Sequence, residues 1–204
     1  KADVQRLHEK LNALGPRQAL QRGYAFVLAN GKPVTHVEKA ADCFRISTED
    51  GTVFEGKTVI LALGVKHRML GLPGEEALVG KGLSFCAVCD GAFYEGQDTA
   101  MIGGGNSALQ EALLLSEVCT KVTVVQNLAG FTGEKKLADA LMEKDNVTAI
   151  FSTVVVGYES ENGNLTGLRL RHTETGEESQ ISVDGAFLAV GLVPESDIFA
   201  SLAQ

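Results

Sequence analysis

Residues 99–108 read Thr99-Ala100-Met101-Ile102-Gly103-Gly104-Gly105-Asn106-Ser107-Ala108, and their reading decides the fold. Thr99–Ile102 is a short apolar strand, Gly103–Gly105 a tight turn, and Ala108–Val118 a helix. A second β-branched strand follows at Lys121–Gln126 and a second helix at Lys135–Lys144. That β-α-β order predicts a parallel sheet with right-handed crossovers. The turn fits G-x-G-x-x-A between a strand and a helix, the context the motif requires. Gly103 permits the turn, Gly105 admits a pyrophosphate to the backbone, and Ala108 lets helix and strand pack closely. The helix N-terminus adds amide donors and a positive dipole end. A glycine turn without a ligand is the plainer reading of the same residues; the strand–turn–helix context favours the binding one. The second strand ends Val125-Gln126-Asn127-Leu128, with neither the acid that marks NAD nor the base that marks NADP. Gln126 and Asn127 can hydrogen-bond a ribose, but neither supplies the charge that selects NADP.

Outward from this unit the pattern changes. Downstream, strands are expected near Ile150–Glu159, Leu165–Arg171 and Glu178–Val183, turned at Asn162-Gly163 and Thr175-Gly176 into an antiparallel meander. Gly185–Val190 reads as a last buried strand before Gly191 and Pro194. Upstream, Gly71–Phe93 reads as Gly-rich loop around a Cys pair. Thr58–Leu63 reads as a buried strand ending in Gly64, preceded by a strand at Cys43–Ser47 and a turn at Asp50-Gly51. Val4, Leu7, Leu11 and Leu14 mark a helix that Gly15-Pro16 stops. Asn30-Gly31 is expected to turn Tyr24–Ala29 into Val34–Val37. The fold class is α/β: a Rossmann-like nucleotide-binding domain with a parallel sheet plus an antiparallel meander.

The chain has 204 residues, 45% hydrophobic and 22% charged, an ordinary globular balance that excludes a disordered polymer. No apolar run approaches the roughly 20 residues of a membrane helix. Lys1 opens a polar, charged stretch without the apolar core of a signal peptide, so a soluble, cytoplasmic protein is expected. The net charge of −8 argues against a general nucleic-acid binder. Its distribution is uneven. Residues 1–40 carry seven Lys/Arg against three Asp/Glu, a balance of +4, and residues 41–204 carry −12.

Cys86-Ala87-Val88-Cys89-Asp90 holds the one C-x-x-C. A zinc site needs two more ligands, and Cys43 and Cys119 supply no second pair, so no metal is expected. A dithiol cycling with a disulfide suits this spacing, and two inert buried cysteines are the alternative. Asp90 can protonate a leaving thiolate or simply cap a turn. Cys43 and Cys119 read as packing residues, and His8, His36, His67 and His172 have no partner at metal or triad spacing.

Together, Lys81-Gly82-Leu83-Ser84-Phe85-Cys86-Ala87-Val88-Cys89-Asp90-Gly91-Ala92-Phe93-Tyr94 and the following Met101–Ala108 resemble low-molecular-weight bacterial thioredoxin reductase. The resemblance runs from about residue 37 to 204. It includes Leu61-Ala62-Leu63-Gly64, similar to that family's segment beside the flavin, and Asp184–Gly191, similar to its strand returning to the flavin domain. It implies a partial FAD domain at 37–71, a nicotinamide-nucleotide-binding domain with the C-x-x-C at 72–193, and a truncated return to the FAD domain at 194–204. It further implies a homodimer passing electrons from NADPH through FAD to Cys86 and Cys89, and on to a thioredoxin-like protein. Asp90 would be the acid. Gly103, Gly105, Asn106 and Ser107 would face the pyrophosphate, with Gln126, Asn127, Gly191, Ala62 and Gly64 at the remaining cofactor contacts.

Two departures qualify this. Where the family has H-R-R-x-x-x-R for the 2′-phosphate, this chain reads Gln126-Asn127-Leu128-Ala129-Gly130-Phe131-Thr132, so NADH, or a donor such as ferredoxin, stands beside NADPH. The family's N-terminal flavin fingerprint and C-terminal flavin-contacting segment are not found, so FAD is expected to be held weakly or not at all. The first 36 residues instead resemble the C-terminal part of the exonuclease VII large subunit, through Leu11–Val27 and Gly31–Thr35. That resemblance implies a composite chain and a binding module without nuclease residues.

Overall fold

The computed structural model describes residues 34–60, 64–194 and 202. They fall into two units, one of His67–Leu192 and one of the remaining residues. The expected helix at 4–14, the strand at 24–29 and its Asn30-Gly31 turn lie outside the described residues.

In the smaller unit β1 (Val34–Lys39), β2 (Phe44–Thr48) and β3 (Val53–Gly56) form an antiparallel sheet in that order. Val37 pairs with Ile46, and both are buried. The turn expected at Asp50-Gly51 is present, with the Gly51 amide on the Thr48 carbonyl and Gly51 at φ +79°. The strand after it differs from expectation. So tight a turn pairs Val53 with Ser47 at once, so the hairpin partner is Val53–Gly56. Residues 58–60 are not strand, and 61–63 lie outside the described residues.

The larger unit begins at the end of β4 (Val65–His67) and runs through α1 (Glu75–Leu78), β5 (Leu83–Ser84), α2 (Ala87–Asp90) and a 3-10 turn at Gly91–Tyr94. The stretch read as loop thus contains three helical turns and a short strand, because capping and sheet pairing there are too local for a periodicity to show. Then come β6 (Asp98–Ile102), α3 (Asn106–Val118), β7 (Lys121–Val125), α4 (Lys135–Met142) and β8 (Val147–Ile150). The meander is β9 (Thr153–Glu161), β10 (Asn164–His172) and β11 (Glu178–Ser182), and β12 (Gly185–Leu188) and β13 (Leu192–Pro194) close the described chain. The central sheet is parallel, in the order β5-β12-β6-β7-β8. One strand was expected across Ile150–Glu159. The structure breaks that run at Ser152, φ +47°, so that β8 completes the parallel sheet and β9 starts the meander. Both halves are apolar and β-branched, which hides the corner from a periodicity reading.

Strand alternation divides the core between the two faces of the sheet. Ala100, Ile102, Val125, Ala186 and Leu188 pack with Leu165, Leu168 and Leu170 of the meander. Met101, Val122, Val124 and Phe187 pack with Ala108, Leu109, Ala112 and Leu115 of α3. The alanines let the helix approach the strands closely, as the motif anticipates for Ala108.

One polar cluster pins the start of this unit. Glu75 is 2% exposed and accepts the amides of Leu70 (2.9 Å), Gly71 (2.7 Å) and Leu72 (3.3 Å), and the Tyr158 hydroxyl (2.6 Å). Burial, reinforced by Glu75, holds the Tyr158 hydroxyl far above its ordinary value near 10. Glu75→Ala strands these donors and is expected to cost roughly 2–4 kcal/mol, against about 1–2 for Tyr158→Phe. Because the folded state keeps the Tyr158 proton longer, that contribution is complete below pH 10 and declines as pH rises above it. Urea unfolding followed by circular dichroism checks both. A Tyr158→Phe chain that loses stability above pH 10 as steeply as the wild type would contradict this.

Candidate functional site

At the β6–α3 corner Gly103 has φ +129°, and a β-carbon there would lie 2.5 Å from the Ala189 carbonyl oxygen. That oxygen sits just past β12, which pairs with β6 from Gly185 to Leu188. Gly105 begins α3 in extended backbone, φ −84°, with nothing nearer its missing β-carbon than Thr132 Oγ1 at 3.9 Å. One glycine is required by packing, and the other leaves open space. No side chain caps the first turn of α3. Gly103–Ser107 line a cavity of about 810 Å³, together with Gln126, Asn127, Leu128 and Thr132.

The loop after β7 is folded onto the glycine turn. The amides of Thr132 and Gly133 donate to the Gly104 carbonyl at 2.8 and 3.0 Å. Asn106 Oδ1 accepts the Glu134 amide, and its Nδ2 donates to Glu134 Oε1. Gln126 is 4% exposed and its Nε2 donates to the Gly130 carbonyl, whereas Asn127 is exposed. Gly191, φ +105°, also lines the cavity and accepts the Arg68 amide. Gly64, φ +76°, belongs to the other unit, and Ala62 lies outside the described residues.

Cys86 and Cys89 are joined in a disulfide, with Cα atoms 5.3 Å apart. Cys86 is the N-cap of α2: its carbonyl accepts the Cys89 and Asp90 amides, and its Sγ accepts the Cys89 amide. The turn sits at the surface, with Cys89 exposed and Val88 81% exposed. Ser84 Oγ donates to Asp90 Oδ2 at 2.6 Å and accepts the Cys86 amide at 3.2 Å, so Asp90 is tied to the backbone of the first cysteine. Burial, with Asp90 adding to it, raises the Tyr94 hydroxyl. Burial likewise raises the thiol of Cys119, which suits the packing role expected of it. Cys43 is half-buried. His172 accepts two turn amides through Nδ1, and His36 is exposed. Among the described residues no three His, Cys, Asp or Glu side chains gather as a metal site would need.

Among the cavity-lining residues to which the sequence reading gives no role are Glu111, His67 and Phe85. Glu111 of α3 lines the cavity and accepts the Ala87 amide through Oε2 at 2.9 Å. Its signal was a carboxylate three positions after Ala108, on the helix face that also carries the motif's packing residue. His67 and Phe85 stack at 4.8 Å, and both line the same cavity. No local pattern announces that pair, which the fold alone brings together.

Residues 4–204 match the family model of pyridine nucleotide-disulphide oxidoreductases. The chain belongs to this family. The match begins at residue 4, so it runs through the stretch expected to be of exonuclease VII type. Within this oxidoreductase family the chain is 40% identical over 159 residues to the bifunctional thioredoxin reductase/thioredoxin of Mycobacterium leprae, covering 78% of this chain and 34% of that one. It is 37% identical over 166 residues to thioredoxin reductase of Streptomyces clavuligerus, covering 81% and 51%. Among solved structures it is similar to Lactococcus lactis thioredoxin reductase, with a TM-score of 0.74 at 32% identity over 84% of this chain and 56% of that one. The chain thus spans between about a third and a half of the curated relatives it matches. No helix among the described residues is long and apolar enough to cross a membrane.

The two glycines of this oxidoreductase turn should respond differently to a methyl group. Gly103→Ala meets a backbone oxygen at an unfavourable φ and is expected to cost roughly 2–4 kcal/mol. Gly105→Ala enters open space and should cost no more than about 1 kcal/mol, the loss of a better N-cap residue. Thermal unfolding of the two variants, compared directly, checks this; equal losses would contradict it.

Proposed function

We propose that this chain is the nucleotide- and dithiol-bearing part of a thioredoxin-reductase-like flavoprotein. A single observation carries the reading: in one unit, a surface disulfide, Cys86–Cys89, packs through α2 against the helix whose first turn opens the glycine-lined cavity. Relatives at 37–40% identity bear the name thioredoxin reductase, which supports the same reading. On this proposal residues 72–193 form the nicotinamide-nucleotide-binding domain, and 37–71 with 194–204 belong to an FAD domain.

Gly103, Gly105, Asn106 and Ser107 would receive the pyrophosphate at the uncapped N-terminus of α3, where the open space over Gly105 suits it. Asn127, exposed at the cavity wall, would meet the ribose; Gln126 is already engaged with Gly130 and would act by shaping the loop. A reduced nicotinamide and a flavin, when bound, would together supply the electron pair. The Cys86–Cys89 bond would accept two electrons and two protons to become a dithiol, and Asp90, held by the Ser84 hydroxyl, is the proposed acid. The dithiol then exchanges with a disulfide of a thioredoxin-like protein, re-forming the Cys86–Cys89 bond and leaving the partner reduced. No Lys or Arg is among the described residues lining the cavity, so NADH is the proposed donor over NADPH. Residues 1–36 carry a second proposal, an exonuclease VII-type recruiting segment, which rests on their sequence and their +4 balance. Co-purification of a small helical subunit, lost on deleting them, tests it.

Titration of NADH and NADPH, each followed by nucleotide fluorescence, should show NADH binding at least as tightly; clearly tighter NADPH binding overturns the donor assignment. Incubation with reduced thioredoxin should open the Cys86–Cys89 disulfide, and Cys86→Ser or Cys89→Ser should abolish the exchange. A wild-type chain whose disulfide does not exchange would rule the oxidoreductase reading out.

A further inference from the structure

We propose that Glu111 is a positioning residue for the dithiol, holding the first turn of α2 against the cavity wall and keeping Cys86 in its less reactive thiol form. This rests on the oxidoreductase reading above and deepens it. The Ala87 amide that Glu111 Oε2 accepts is the one next to Cys86, in the turn that Cys86 caps. An unoccupied amide beside the cysteine would favour a thiolate, since a free backbone donor near a sulfur stabilises its negative charge. Glu111 occupies the donor and adds a carboxylate, and both effects disfavour a second negative charge nearby. Among the described residues, the other ionisable groups close in the chain or by contact are Asp90 on α2, Tyr94, on which Asp90 acts, and His67, which stacks on Phe85 next to Cys86 in the chain. Of these, Asp90 is engaged by Ser84, so Glu111 is the charge that addresses the Cys86–Ala87 peptide directly.

The arrangement also makes Glu111 common to two features. Its carboxylate forms part of the cavity wall and at the same time accepts from the dithiol turn. The reactivity of the thiol is therefore set by a residue that belongs to the nucleotide-cavity side of α3.

The test uses the full chain carrying Cys89→Ser, so that Cys86 is the thiol of the pair that reacts. Iodoacetamide labelling at Cys86, read by peptide mass spectrometry, is followed from pH 5 to pH 10. Glu111→Gln keeps an acceptor for Ala87 but removes the charge, and should shift the Cys86 profile to lower pH, raising labelling at neutral pH roughly three- to tenfold. Glu111→Ala should shift it in the same direction. A profile that Glu111→Gln leaves in place overturns the proposal. Loss of the fold in Glu111→Gln overturns it as well, because a residue needed only for folding would be sufficient to explain the contact. A wild-type chain that cannot re-form the Cys86–Cys89 disulfide after reduction counts against the oxidoreductase reading; an unshifted profile counts against Glu111 alone.

Discussion

The close approach of the Gly103 backbone to the Ala189 carbonyl is the constraint on which the larger unit depends. It can be made only where β6 and β12 lie side by side and the chain leaves β6 at once for a helix. In the order β5-β12-β6-β7-β8 the chain runs outward from β6 through β7 and β8, and returns on the other side as β12. β6 is therefore the strand at which the winding reverses. Crevices open beyond the carboxyl ends of strands at such a reversal, because the loops there diverge to opposite faces. The cavity lies there, lined by Gly103–Ser107 after β6 and by Ala189–Leu192 after β12. Its place follows from topology before any side chain is considered.

The second consequence concerns α3. Ala108, Leu109, Ala112 and Leu115 are buried on the sheet, so the helix is held along its length. Its first turn opens to the cavity, and one turn later Glu111 reaches the Ala87 amide. α3 thus supplies part of the cavity wall and, through Glu111, a contact to the turn that carries the disulfide. Precision of this kind is easier to hold on a helix than on loops. The surface turn itself is small, and its internal bonds to Cys86 are joined by contacts from Ser84 and Glu111 outside it.

How much was legible in the sequence follows the range of each interaction. The glycine turn, α3, β7, α4 and the meander turns were readable because glycine chemistry and apolar periodicity act within a few residues. The break at Ser152 was not, since two buried strands in succession give one continuous apolar run. Residues 58–60 of the strand expected at Thr58–Leu63 are not strand for a related reason: strand identity needs a partner, and the tight Asp50-Gly51 turn gave β2 its partner at Val53–Gly56. At the site, the C-x-x-C and the glycines carried their own signatures. Glu75, Glu111 and the His67–Phe85 stack did not, because each depends on a contact between distant segments.

The loop after β7 shows why composition alone misleads about specificity. Gln126 and Asn127 are adjacent amides at the end of one strand, and both can bind a ribose in principle. The structure separates them. Gln126 lies beneath the turn, where a β-carbon on Gly104 would come 2.5 Å from its Cδ, and its amide is engaged with Gly130. The loop's amides are likewise turned inward, at Thr132 and Gly133 onto Gly104, and Glu134 is locked to Asn106. A loop whose polar groups satisfy one another inward needs no bound phosphate to hold its shape. A basic loop would repel itself until an anion arrived. The loop, which carries no Lys or Arg, is therefore held in shape by its own polar contacts, and Asn127 is left exposed at the cavity wall.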